Sequence, residues 1–284
     1  MLVVTKPKAI PMGTLEDHHI IDLYCLVDRL ISTTPKPLGG RPQILSDAEV
    51  VTILLWNGLT VQQHTLKDIW KWVVRERQRD FPALPGYKGF ISHCHRLVPT
   101  LALLLKHLLT THHQVRLVDS TMLPVCKLSR ANTHKVAQGV AAFGKNGSGW
   151  HFGFKLHAGF TPQGALAAFC FTPANESDLM QLPRLVAEHS LVVGDAGYTA
   201  QVMRSKLWKE KRCLIVSPPR QKQHTQLLAS WQYALLKLRQ KAECGFDQLK
   251  EHLHLVTSFP RSVSGYFLHY LQALLTYQLQ VEGF

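Results

Sequence analysis

Acidic residues are scarce in this chain. Asp and Glu together number 19 in 284 residues, against 32 Lys and Arg, for a formal charge of +13 and a pI near 9.6. A surface so short of carboxylates does not suit a cationic partner and points to a polyanion. Long apolar runs are missing as well. The nearest, Leu101-Ala102-Leu103-Leu104-Leu105, is cut off by Lys106 and His107, far short of the roughly 18 residues that span a bilayer. No membrane partner is therefore expected. The opening Met1-Leu2-Val3-Val4-Thr5-Lys6-Pro7-Lys8 has no charged-then-apolar signal design, so the expected compartment is the cytosol, with the nucleoid when bound to DNA. The six cysteines are dispersed and form no C-x-x-C pair, which argues for reduced thiols rather than a disulfide framework. The sixteen histidines include His93-Cys94-His95 and His252/His254, but neither cluster has a second pair at zinc-finger or ribbon spacing. There is no internal repeat or low-complexity tract. Hydrophobic residues make up 46% of the chain and charged residues 18%, as in a folded globular protein.

Two regions follow from patterning. Residues 1–111 read as a helical domain. Ser46-Asp47-Ala48-Glu49 is a capping box, Asn57-Gly58 a stop signal, Thr65-Leu66-Lys67-Asp68 a second start, and Phe81–Gly86 a break. A third helix is predicted from about Tyr87 to Leu109. Short helices with tight breaks suit a helix-turn-helix DNA reader and equally a plain helical subdomain. In residues 112–284 strands and helices alternate. Val115–Val118 is a strand, and Trp150–Phe160 and Ala165–Phe171 form a hairpin about Thr161-Pro162-Gln163-Gly164. Ser177-Asp178 caps a helix through His189, Leu191–Val193 and Cys213–Val216 are strands, and Ala200–Arg212 is a helix. Trp231 to about His252 reads as one long helix, and Tyr266–Leu279 as the last. This is the element order of a ribonuclease H-like core: an α/β fold with a mixed sheet flanked by helices, preceded by an N-terminal all-helical domain.

Among the few acids, three sit unlike surface charges. Asp119 and Asp195 each follow a short β-branched run, and Glu243 lies in the basic helical stretch Lys237–Glu243. Sites in open α/β sheets gather at the carboxyl ends of parallel strands. If the strands before Asp119 and Asp195 are neighbours, the two carboxylates converge, and Glu243 arrives from a helix packed across that edge. Three carboxylates can hold two Mg²⁺ ions about 3.5–4 Å apart, a spacing that supports in-line displacement at phosphorus. The bland alternatives are turn-capping aspartates and a solvated glutamate paired with Arg239. Residues 201–262 carry twelve Lys and Arg against four Asp and Glu. On an ideal helix Arg239, Glu243 and Lys250 share one face, which suits a DNA track. Lys155 and His157 share a strand face that points either to the site or to solvent, and Lys155 is a candidate DNA contact. Arg130 and Lys135, in the insert after the first strand, are further candidate DNA contacts.

These segments resemble a DDE transposase of a bacterial insertion sequence, most closely the insertion sequence nine-eighty-two family. The resemblance is carried by Val118-Asp119-Ser120 with Leu123-Pro124-Val125-Cys126, Gly149–His157, Thr172-Pro173-Ala174-Asn175 with Asp178, Gly194-Asp195-Ala196-Gly197-Tyr198, Glu243 with Asp247-Gln248-Leu249-Lys250, and Leu45–Val50. It implies Asp119, Asp195 and Glu243 as ligands of two Mg²⁺ ions, for which Mn²⁺ can substitute. It also implies Arg239 and Lys250 on DNA, and a homo-oligomer working on element ends and target. Two positions depart from the family's pattern: Leu236 stands where relatives carry Tyr, and Ala196 where they often carry Lys. The implied activity is end cleavage followed by strand transfer. A nuclease or resolvase on the same core, and a DNA-binding protein that has lost catalysis, are the competing readings.

Overall fold

Helix α2 (Asp47–Leu59) is apolar around its whole circumference, and every residue from Val50 to Gly58 is buried, as expected of a helix at the centre of a helical unit. Its start is the capping box. The Ser46 hydroxyl accepts from the Glu49 N–H, and Glu49 accepts from the Ser46 N–H. The computed structural model describes residues 19–32, 44–219 and 229–284. The segment Met1–Lys8 and two of the counted bases, Arg220 and Lys222, lie outside these residues.

Against α2 pack α1 (His19–Ser32), α3 (Leu66–Glu76), α4 (Tyr87–Arg96) and α10 (Val263–Glu282), and α5 (Val98–Leu108) packs on α10, α1 and α4. The single helix read from Tyr87 to Leu109 is instead two. The first ends at Leu97, whose N–H reaches back to Cys94 and His93; Pro99, lacking an N–H, cannot extend the α4 ladder. The described residues up to Leu108 form one compact unit with Leu253–Leu255 and Phe259–Phe284. α10 clusters with these helices rather than with residues 109–252. The reason is packing. Gln272 Nε2 donates to Leu54 O at 2.9 Å and Gln278 Nε2 to Leu108 O at 2.8 Å. Gly58 lies so close to Thr276 that a Cβ there would strike its hydroxyl. None of the described helices is long and apolar enough to cross a membrane.

The second unit, Leu109–His252 with Val256–Ser258, is built on a six-stranded mixed sheet. The strands are β1 (Val115–Pro124), β2 (Ala142–Asn146), β3 (Gly149–Phe160), β4 (Leu166–Pro173), β5 (Leu191–Val193) and β6 (Leu214–Val216). β3 runs antiparallel to β1, β2 and β4, while β1, β5 and β6 are parallel neighbours in that order. The helices are α6 (Asp178–Leu185), α7 (Gln201–Lys211), α8 (Ser230–Lys237) and α9 (Gln240–Asp247). β1 is longer than the four residues read from the sequence, and β2 lies in the insert after it, where the sequence predicts no strand. The long helix read from Trp231 is broken at Leu238–Arg239 and continues past α9 as a π turn over Gln248–His252. No Pro or Gly marks that break. α6 stops at Leu185, short of His189, with Pro183 in its last turn.

The β1–β3 pair is packed backbone to backbone where Gly153 lies opposite Pro124. A Cβ on Gly153 would land on the Leu123 carbonyl oxygen and crowd Pro124 Cα and Val125 N. Gly153→Ala is expected to cost about 3 kcal/mol, at the upper end for overpacking because the obstacle is backbone. Urea melts of the two chains check this.

Candidate active site

The register of the two central parallel strands places the first two acids. Leu117 is opposite Val193, the last pair of the β1–β5 ladder, so Asp119 and Asp195 each lie two residues beyond the same rung. This is the carboxyl edge of the parallel part of the sheet. Asp119 itself stays in strand, since β1 continues on its other side against β3 with Asp119 opposite Ala158. At Asp195 the chain leaves the sheet, and its carboxylate caps the turn Ala196–Tyr198 by accepting the Gly197 N–H at 2.8 Å. Asp119 Oδ1 accepts the Ser120 N–H, also at 2.8 Å. Burial pushes the Asp119 carboxyl up to about 6, reinforced by the negative charge of Asp195 and resisted by the Ser120 N–H and the Arg239 guanidinium.

The third acid comes from α9, which packs on β1 and β3. Phe246 meets Phe160 edge-on at 5.2 Å, and Phe160 pairs with Leu117. Leu117 and Asp119 are two apart and share a strand face, so α9 covers the Asp119 face of the sheet. Glu243 nevertheless keeps its side chain about half in water, 3.5 Å from Arg239. Arg239 thus acts on both Asp119 and Glu243. Among the described residues no three His, Cys, Asp or Glu side chains stand together so as to hold a metal ion. The donor set is nonetheless all oxygen, as hard divalent cations require, and the raised Asp119 carboxyl is what a cation would relieve. Asp119 and Asp195 fit such an ion as a pair, with Glu243 on the covering helix.

The candidate cations fall in different places. Lys250 lies in the π turn and is half-buried, so the straight-helix projection that aligned it with Glu243 does not hold. Arg130 and Lys135 are exposed. Lys155 requires a correction. It is only 8% exposed, its Nζ donates to Glu176 O at 2.8 Å, and it pairs with Asp178 at 3.2 Å. A buried ammonium already held by a carboxylate and a carbonyl does not face DNA.

That pair belongs to a network on the other face of β1 and β3, which the sequence reading missed. His157, fully buried, has Nε2 2.8 Å from Thr172 Oγ1 and Nδ1 3.3 Å from Asp178 Oδ1, close but out of line for a good hydrogen bond. Burial works against ionised Asp178, but the close approach of His157, the Ser120 hydroxyl and the charge of Lys155 outweigh it and hold its carboxyl at about 2. Ser177, read as a cap, makes no side-chain cap bond. Tyr198 packs its ring over Gly194. Burial raises its phenol well above the usual range, helped by the charges of Asp178, Asp119 and Asp195. The signal for the network was the Lys155/His157 alternation, whose face only the sheet register could decide.

A family model described as a transposase DDE domain matches residues 109–263, more than half of the chain. No curated protein matches. Among solved structures, the Mos1 transposase paired-end complex with left transposon end is 15% identical, with 88% of this chain and 82% of that chain covered at a TM-score of 0.24. A pre-cleavage Mos1 transpososome is also 15% identical, with 90% and 85% covered at a TM-score of 0.22.

Proposed function

Since this chain belongs to the transposase DDE-domain family, we propose that it is a metal-dependent polynucleotidyl transferase that cuts the ends of a bacterial insertion sequence and joins them to target DNA. The observation that carries this reading is the matched placement of Asp119 and Asp195 at the carboxyl edge of adjacent parallel strands. The sheet order β4-β3-β1-β5-β6, with β3 antiparallel to its neighbours, supports a ribonuclease H-like core.

Asp119, Asp195 and Glu243 would hold the divalent cations, two Mg²⁺ with Mn²⁺ as substitute. When bound, these supply Lewis-acid polarisation of the phosphate and a lowered pKa for the attacking water or 3′-hydroxyl. The protein's part is positioning and charge. Breaking the half-exposed Arg239–Glu243 pair costs little, on the order of 0–1 kcal/mol, so Glu243 is free to leave Arg239 for the acids beneath α9. Arg239 would then be released to a phosphate oxygen. On the helical unit, Lys67, Lys71 and Arg75 recur at every fourth residue and are exposed along α3, a stripe suited to a DNA backbone. A homo-oligomer on paired ends and membership of the insertion sequence nine-eighty-two family are parts of the same reading.

The test incubates the purified chain and Mg²⁺ with a labelled duplex carrying the element's terminal sequences and a supercoiled target. Cleaved ends and joined products are expected. Cleavage without joining supports a nuclease or resolvase, and binding without metal-dependent products supports a protein that has lost catalysis. Glu243→Gln is expected to remove both products while changing stability by less than about 0.5 kcal/mol, since its side chain is half-exposed. Product gels and a thermal melt of the same preparation separate the two effects.

A further inference from the structure

The hairpin of β2 and β3, turning through Gly147-Ser148, has no place in the chemistry above. In its register Phe143 lies opposite Phe152 and Lys145 opposite Trp150, so these four side chains share one face. Trp150 is 53% exposed and Phe143 42%. The Lys145 ammonium sits 5.9 Å from the centre of the Trp150 ring, and the Phe143 and Phe152 rings are 4.9 Å apart. His134 closes the face edge-on to Phe152 at 6.1 Å. The hairpin is anchored where Gly144 lies so close to Ala174 that no side chain fits between them.

Charge identifies the partner. From Ser120 to Asn175 the chain contains no Asp or Glu at all. Of its five bases, Lys155 is buried against Asp178, while Lys127, Arg130, Lys135 and Lys145 are exposed. Exposed aromatic rings with Lys145 over one of them, in a stretch of sequence whose charges are all positive, suit a surface on which bases stack and phosphates are neutralised. Trp150 lies eight positions along β3 from Ala158, the partner of Asp119. At about 3.3 Å per residue that is roughly 26 Å, about eight base-pair steps of duplex, so the hairpin meets DNA away from the cut.

We propose that this face of the hairpin docks an unpaired stretch of a DNA strand, with Trp150 as the platform for a base and Lys127, Arg130, Lys135 and Lys145 on the phosphates. The inference rests on the reading of the chain as a DNA transposase.

The test measures binding of the full chain to labelled single-stranded DNA, and to a duplex of the same sequence, by fluorescence anisotropy at several salt concentrations. Trp150→Ala is expected to weaken single-strand binding about tenfold and duplex binding less than about twofold. Trp150→Phe should restore most of the loss, and Lys145→Gln should lower the salt slope for both DNAs by roughly one unit. Trp150→Ala that binds single strands like the wild type, or that weakens both DNAs equally, overturns the assignment and leaves the transposase reading standing. Failure of the wild-type chain to bind either DNA overturns both. Loss of binding to phosphatidylserine vesicles in Trp150→Ala, with DNA binding intact, would assign the face to a membrane surface and likewise overturn it.

Discussion

Asp119→Asn should lose Mg²⁺-dependent cleavage by about a thousandfold or more while binding end-containing DNA within about twofold of the wild type. The substitution is nearly isosteric. It keeps the oxygen that accepts the Ser120 N–H and removes one of the two charges that meet at the carboxyl edge of β1 and β5. Loss of a metal-holding carboxylate removes several kcal/mol of transition-state stabilisation, and each 1.36 kcal/mol is a factor of ten in rate. The fold should not suffer. In the metal-free chain the variant relieves burial of a charge beside Asp195, so its melting temperature should equal or exceed that of the wild type. Single-turnover cleavage rates, filter binding and a metal-free melt on one preparation decide the matter. Wild-type-like cleavage in Mg²⁺ would reject the assignment of Asp119.

The second large effect concerns stability. Asp178→Ala leaves the Lys155 ammonium buried without its carboxylate and strips His157 of its charged neighbour. Orphaning one member of a buried pair costs about 3–5 kcal/mol. Because the Asp178 side chain is 40% exposed, solvent screening reduces this to about 2–3 kcal/mol. Lys155→Met in the same chain should recover much of the loss, since an apolar side chain of similar length needs no counter-charge. The pH dependence has a definite sign. Asp178 is held at about 2, below its usual 3.8, so the folded state sheds its proton more readily than the unfolded one. Its contribution is complete above about pH 4 and drains away between about 4 and 2. Urea melts at pH 7, 4 and 3 should show the wild type and Asp178→Ala converging as the pH falls. A constant gap would show that the residue acts through packing alone.

Local grammar was legible wherever a side chain speaks to its own neighbours. The Ser46/Glu49 capping box, the Thr65 cap, the hairpin turn at Gly164 and the short strand preceding Asp195 all stand as read, while the strand that starts at Val115 runs on through Asp119 to Pro124. What failed depended on distant partners. The Tyr87–Leu109 helix divides at Leu97, just ahead of Pro99, whose effect is local and was legible, but the break at Leu238–Arg239 carries no mark. β2 has too weak a β-branched pattern to be read without β3 beside it. Lys155 looked like a candidate DNA contact until the strand register turned it toward Asp178.

The site divides along the same line. The order of residues alone determined that two scarce aspartates each follow a short apolar run, that a glutamate lies four residues from Arg239 in a basic stretch, and that the composition favours a polyanion. Only the tertiary structure decided that β1 and β5 are neighbours in a register that brings Asp119 and Asp195 level. Folding also turned Glu243 toward Arg239 and drew the C-terminal helix into the helical unit. Propensity and capping act over a few residues and are written in them. Pairing across tens of residues, and the burial that lifts the Asp119 carboxyl to about 6, arise only once the chain has removed those groups from water.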